Sequence, residues 1–194
     1  MTQNNVGIYA SQISGHLWAP NGAMDALATV TVPSGGAASV TFAGIPQGYK
    51  HLQIRGIARC TSTASQAVAA MRFNSDSGAN YTRHELAGNG STASAYGAGS
   101  NTWAGYFTTP SSTTTLYNNN IVGVGVADIL DYSNTNKYKT MRLFSGQDTN
   151  NTYGYLGLYS GVWMNTAAIT DIQIYSVDGT SLAQYSSFAL YGIE

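Results

Sequence analysis

The chain has 194 residues, of which 43% are hydrophobic but only 9% charged, with a formal net charge of −1. That length is one domain's worth and can bury a sizeable core, yet the charge is far below the roughly 25% of an ordinary soluble domain. Such a balance leaves no electrostatic footprint for a nucleic-acid backbone or an anionic membrane, a lone Cys60 excludes an internal disulfide framework or thiolate metal cluster, and no apolar run reaches the roughly 18 residues of a membrane helix.

Polarity is carried by 20 Ser, 21 Thr, 15 Asn and 8 Gln, a third of the chain. With 14 Tyr, 5 Phe and 3 Trp to pack, the composition is that of a folded protein. Near-zero net charge removes colloidal repulsion and suits a subunit packed against copies or partners.

Residues 1–24 mix polar residues with Ile8, Tyr9, Ile13, Leu17 and Trp18, and Pro20-Asn21-Gly22 separates them from the rest of the chain. Two readings stand: a frayed terminus or edge strand, and an arm that docks on a neighbour because Leu17 and Trp18 are costly to leave in water. Met1 to Gly15 has neither a basic n-region nor an apolar h-region, so no signal peptide is expected.

From residue 25 onward the pattern predicts a β-sandwich domain reaching 194. Ala26–Val32 and Ser39–Phe42 are β-branched runs split by Pro33-Ser34-Gly35-Gly36, which reads as a hairpin turn. His51–Cys60 alternates, with Leu52, Ile54, Ala58 and Cys60 on one side and His51, Gln53, Arg55 and Arg59 on a wet side. Val68–Phe73 is the next strand, Asn74–Asn80 a turn cluster, and Tyr81–Leu86 another strand. Gly88–Asn101 is a Gly/Ser/Ala/Asn stretch that reads as a surface loop.

Trp103–Thr108 and Leu116 read as strand. In Ile121–Leu130 valines at 122, 124 and 126 oppose Gly123 and Gly125, glycines that suit tight backbone approach or a bend. Tyr138–Ser145 sets Lys139, Met141 and Leu143 against Thr140, Arg142 and Phe144. Tyr153–Trp163, Ile169–Val177 and Ser187–Ile193 complete nine or ten short strands. With no sustained helical period, the expected fold is all-β, a sandwich or jelly roll.

Catalytic sets are not recognisable. His16, His51 and His84 have no motif context, and His84 and Glu85 are adjacent in a strand and therefore face opposite ways. Asp128 and Asp131, three apart, also diverge, and no nucleophile elbow, zinc-protease helix or phosphate loop occurs. Cys60 alternates with core positions as a small hydrophobe. Asn74, Asp76, Gly78 and Asn80 faintly resemble a calcium loop, but the closing glutamate is missing and the same residues build hairpin turns. No metal, cofactor or catalytic residue is therefore assigned.

Carbohydrate binding needs aromatic platforms beside amides and hydroxyls. Tyr153, Tyr155 and Tyr159 share a face near Trp163, and Tyr96, Trp103 and Tyr106 lie in another region. Tyr153, Tyr155, Tyr159 and Trp103 form the candidate glycan platform, against the alternative that these rings fill a core or an oligomer seam.

The segments YKHLQIRGIAR (49–59), MRFNSDSGANYTRHELAGNGSTASA (71–95), ADILDYSNTNKYKTMRLFSGQD (127–148), SGVWMNTAAITDIQIYS (160–176) and YSSFALYGI (185–193) resemble a family of tailed-bacteriophage virion proteins. Its members serve as decoration proteins or as fibre and tail modules. The resemblance implies a jelly-roll β-sandwich, no catalytic activity, a homotrimer and a place on the virion surface after synthesis in the host cytoplasm. It leaves two expectations for function. One is a capsid decoration (cement) protein on the major capsid protein, anchored by an arm carrying Ile13, Leu17 and Trp18. The other is a tail or fibre module, partnered by tail proteins, that binds a host receptor or surface glycan. No fibre shaft, coiled coil or repeat precedes the sandwich, which tips the expectation toward decoration.

Overall fold

Period-two alternation along the chain becomes strand after strand. A computed structural model of the protein describes residues 23–63, 67–110, 120–149 and 154–194. The strands are β1 (Met24–Thr31), β2 (Ser39–Phe42), β3 (His51–Ala58), β4 (Ala67–Phe73), β5 (Tyr81–Gly88) and β6 (Ala93–Asn101). They continue as β7 (Gly105–Thr109), β8 (Gly123–Leu130), β9 (Lys139–Asp148), β10 (Gly154–Trp163), β11 (Ile172–Ser176) and β12 (Ser187–Ile193). No helix occurs among the described residues.

The strands form two packed antiparallel sheets, a β-sandwich. The larger runs β1-β12-β3-β8-β9-β10-β5-β6 and the smaller β2-β11-β4-β7. The hairpins β5-β6 and β9-β10 lie entirely in the larger sheet and widen it beyond β8. Leu52, Ile54, Ile129, Met141 and Leu143 face inward from this sheet to meet Phe42, Met71, Phe73, Ile172 and Ile174 from the other. Trp163 closes one end of the core, its ring 5.8 Å from Phe73 and 6.3 Å from Tyr81. Lys139 is buried too, its ammonium donating to the carbonyls of Lys137 and Thr166 at 2.9 Å each. Burial, and the nearby Lys137 charge, push its pKa down.

Strand β7 lies directly on the backbone of the larger sheet. A Cβ at Gly123 would stand 2.0 Å from the Thr108 carbonyl oxygen, and one at Gly161 2.1 Å from that of Ala104. The tight approach expected at Gly123 is therefore present, and Gly125 serves likewise beneath the Phe107 ring. Ser145 bridges the layers, accepting from Thr108 N–H at 2.8 Å and donating to the Val124 carbonyl at 3.0 Å.

Two expectations are corrected. Residues Pro33–Gly36 do turn, with Gly36 N–H on the Pro33 carbonyl and φ of 90° and 80° at Gly35 and Gly36. They do not close a hairpin, because β1 pairs with β12 and β2 with β11, in opposite sheets. The reason is local: Val32 stays hydrogen-bonded to Ser186 and Tyr185, whereas Ala37 exchanges both bonds with Leu182 and starts the crossing to the other layer. The stretch Gly88–Asn101 is not a loop but the end of β5, a turn, and edge strand β6, paired with β5 along its length. Most β6 side chains are exposed, so no burial alternation is written into it. Its turn is set by Asn89, whose Oδ1 accepts from the N–H of Ser91 and Thr92 and the Ser91 hydroxyl. Residues 1–22, including Ile13, Leu17 and Trp18, lie outside the described residues, as do Leu116 and Tyr153. At the sandwich boundary Met24 is already paired with Ile193.

Candidate interaction face

In β8 and β10 the usual sense of alternation is inverted. Glycines 123, 125, 157 and 161 face inward, and the larger Val124, Val126, Leu156 and Leu158 face outward. The inward glycines are required by the closeness of β7 and, at Gly157, by the Tyr159 ring. The outward residues are under no such demand, and a solvent face would ordinarily carry polar side chains there.

Register assembles these residues into a patch. One rung aligns Leu86 with Leu158, Leu158 with Phe144 and Phe144 with Val126. The next aligns Leu156 with Gly146, Gly146 with Val124 and Val124 with Ile57. These seven large side chains keep 37% to 60% of their surface in water. Together they present on the order of 700 Å² of apolar area, above the roughly 300–600 Å² of the largest patch on an ordinary monomer. At roughly 25 cal/mol per Å², covering it is worth over ~15 kcal/mol gross. The entropic cost of association is about 4–15 kcal/mol, so the patch alone is of the size that can carry a specific contact.

A polar rung borders it. Asp128 accepts from Gln53 at 2.8 Å and from Arg142 at 3.0 Å, and Arg55 donates to the Gln53 side-chain oxygen at 2.9 Å. Arg55 also lies over the Tyr191 ring at 5.1 Å. An apolar centre edged by arginine-containing hydrogen bonds is the anatomy of a protein interface.

Of the candidate glycan platform, Tyr155 and Tyr159 lie on the inner side of the same sheet, opposite the apolar face. Tyr155 and Tyr159 do share a face, and Trp103 and Tyr106 come to it from the β7 side. At its centre sits an ion pair that sequence reading did not identify: Arg83 and Glu85 on β5, Nη1 to Oε2 at 2.7 Å, with side chains 12% and 8% exposed. Tyr106 donates to Glu85 at 3.0 Å and Tyr155 to its other oxygen. The Arg83 guanidinium lies 4.7 Å from the Tyr96 ring and 4.6 Å from the Trp103 ring. Burial, then the Glu85 carboxylate, hold the Tyr155 phenol well above its ordinary pKa, and burial with the Tyr106 hydroxyl does the same for Tyr159.

This corrects the platform reading. Tyr159 is only 1% exposed, packed 4.6 Å from Tyr106, so it offers no face to a sugar. The Tyr155 hydroxyl is spent on Glu85 and Trp103 is half-buried against Arg83. The i, i+2 spacing of Arg83 and Glu85 on an inward strand was the available signal.

Other candidates fall into place. His84 and Glu85 point to opposite faces, as alternation requires. Cys60 is buried, with the Thr109 hydroxyl 3.2 Å from its sulfur, and burial raises its pKa. In Asn74–Asn80 the Asp76 carboxylate is occupied by Trp163 Nε1 at 2.7 Å, Gly78 N–H at 2.9 Å and Asn80 Nδ2 at 3.0 Å. Those bonds make a turn. Among the described residues no three His, Cys, Asp or Glu converge as a metal site. No family model, curated protein or solved structure matches the chain.

Proposed function

We propose that this chain is a non-enzymatic structural protein of a bacteriophage virion, foremost a capsid decoration (cement) subunit that works by covering and being covered. The observation that carries the reading is the outward apolar face of the larger sheet. It is a broad apolar surface of near-interface area with both charge signs at its edge. A cement subunit is held in place by apolar area buried against its own copies and against the shell, and such a face supplies one of those contacts. The sequence resemblance to virion proteins points the same way.

Within this proposal the sandwich is a jelly roll carrying two insertions. Setting aside β5-β6 and β9-β10 leaves β1-β12-β3-β8 facing β2-β11-β4-β7, the two four-stranded sheets of a double Greek key. The insertions then enlarge the sheet on which the apolar face lies.

Gold-labelled antibody against the protein, viewed on intact particles by electron microscopy, tests the reading. Label spread over the head is expected. Label at the tail or its tip would replace decoration by a receptor- or glycan-binding module, for which exposed Tyr96 is the favouring residue. No label on any particle would overturn the virion role.

A further inference from the structure

We infer that the apolar face of the larger sheet is a seam between copies of this same chain, the Phe144–Leu158 ridge of one copy seated in the hollow of another. The inference rests on reading that face as an interaction surface, and names its occupant.

Shape is the first argument. Phe144 and Leu158, adjacent across β9 and β10, stand between two hollows. One, of about 410 Å³, is walled by Ile57, Val126, Phe144 and Leu156 where Gly146 and Ala189 leave the floor low. The other, of about 800 Å³, lies between the Leu158–Leu86–Ala95 rung and the side chains of Arg142 and His84, where Gly97 leaves the floor low. A ridge with hollows beside it is complementary to itself, the condition that contact through one shared patch imposes.

Area and charge agree. The roughly 700 Å² exposed is close to the roughly 800 Å² that one partner gives to a standard interface. The bordering rung aligns Arg142 with Asp128 and Asp128 with Gln53, and Arg55 ends the neighbouring rung beside Val126, so a second copy can set its arginines against Asp128. The patch carries no single-signed field to select a strongly charged partner, and the chain's net charge of −1 opposes self-contact very little.

The test is sedimentation velocity of the full chain across micromolar concentrations, beside Phe144→Asp. The expected result is an oligomer for the native chain and at least a roughly tenfold weakening of self-association in the variant, with unchanged circular dichroism. A second variant covers misfolding of the first. Since Cys60 is the only cysteine and is fully buried, Leu158→Cys provides a single accessible thiol on the ridge. Its thiol should be shielded from a maleimide reagent in the oligomer and react freely on dilution, whereas Val177→Cys, outside the patch, should react alike in both. A native chain that stays monomeric overturns the inference, as does an oligomer that Phe144→Asp leaves intact or in which the Leu158→Cys thiol stays fully reactive. If the native chain is monomeric but Phe144→Asp abolishes binding to particles, self-association falls while the virion reading stands, the occupant being another protein.

Discussion

At Gly161 an added methyl group would lie 2.1 Å from the Ala104 carbonyl oxygen, a backbone atom that cannot rotate away. At Gly88 the same methyl would meet nothing nearer than 3.9 Å. Gly161→Ala should therefore destabilise the fold by about 3 kcal/mol, the upper range for overpacking, and Gly88→Ala by well under 1 kcal/mol; urea titration of both distinguishes them. Asp76 sets a pH dependence. Burial works against its charge, but the hydrogen bonds from Trp163, Asn80 and Gly78, with Arg72 nearby, outweigh it and hold the carboxyl below its ordinary value. A carboxyl that ionises at lower pH in the native state than in the unfolded one (about 3.9) stabilises fully above that value. The contribution is lost as pH falls through the native pKa. Asp178, held low against its own burial by the hydroxyls of Ser176, Ser62 and Thr180, acts in the same sense. Thermal midpoints should thus be flat from pH 7 to pH 5 and fall from about pH 4 downward, while Asp76→Asn melts lower at pH 7 and shows a shallower acid slope. Residue-level features legible in the sequence were those with one dominant cause: buried Cys60, the Asn74–Asn80 turn and the tight glycines. Tyr159 was misplaced because period two tells which rings share a face and not which face is covered.

Strand β6 shows where an element loses its signature. Its pairing to β5 is held by backbone hydrogen bonds, and its side chains are mostly exposed. Composition then says Gly/Ser/Ala/Asn and nothing about register. The element that fixes it is the Asn89 turn, with three bonds to one side-chain oxygen. Asn89→Ala should cost about 1 kcal/mol locally and speed amide exchange across β6 while leaving β8 and β9 in the sheet interior unchanged. Hydrogen–deuterium exchange with peptide resolution reads this. Equal acceleration in β8 would show the hairpin to be part of the core's cooperative unit instead. By contrast the inward faces of β3 and β9 were readable, since Leu52 and Ile54, or Met141 and Leu143, alternate with more exposed partners, although β3 stops at Ala58 and β9 runs on to Asp148. The Pro33–Gly36 corner was legible as a turn, but which sheet receives the chain afterwards depends on Leu182, far away in sequence.

For the whole molecule, the architecture followed from the number and spacing of strands, and the two-layer sandwich matches that expectation. The interaction face did not emerge from the sequence, although its parts were in view: valines opposite glycines in β8, and Phe144 beside Thr140 and Arg142. In β10, which carries no charged residue on either side, alternation cannot say which side is solvent; the Ala104 carbonyl against Gly161 and the Tyr159 ring against Gly157 settle it. The resulting outward display of Leu86, Phe144, Leu156 and Leu158 is the claim on which the functional proposal depends.

Hydroxyl-radical footprinting of the protein in its assembled form, against a dilute Phe144→Asp control, tests that claim most directly. The outward register predicts that Leu86, Leu156 and Leu158 are modified in the dilute variant and protected in the assembly. Tyr185, 76% exposed and away from the patch, should react in both. If the three leucines remain as reactive as Tyr185 in the assembled form, the face is not a contact surface.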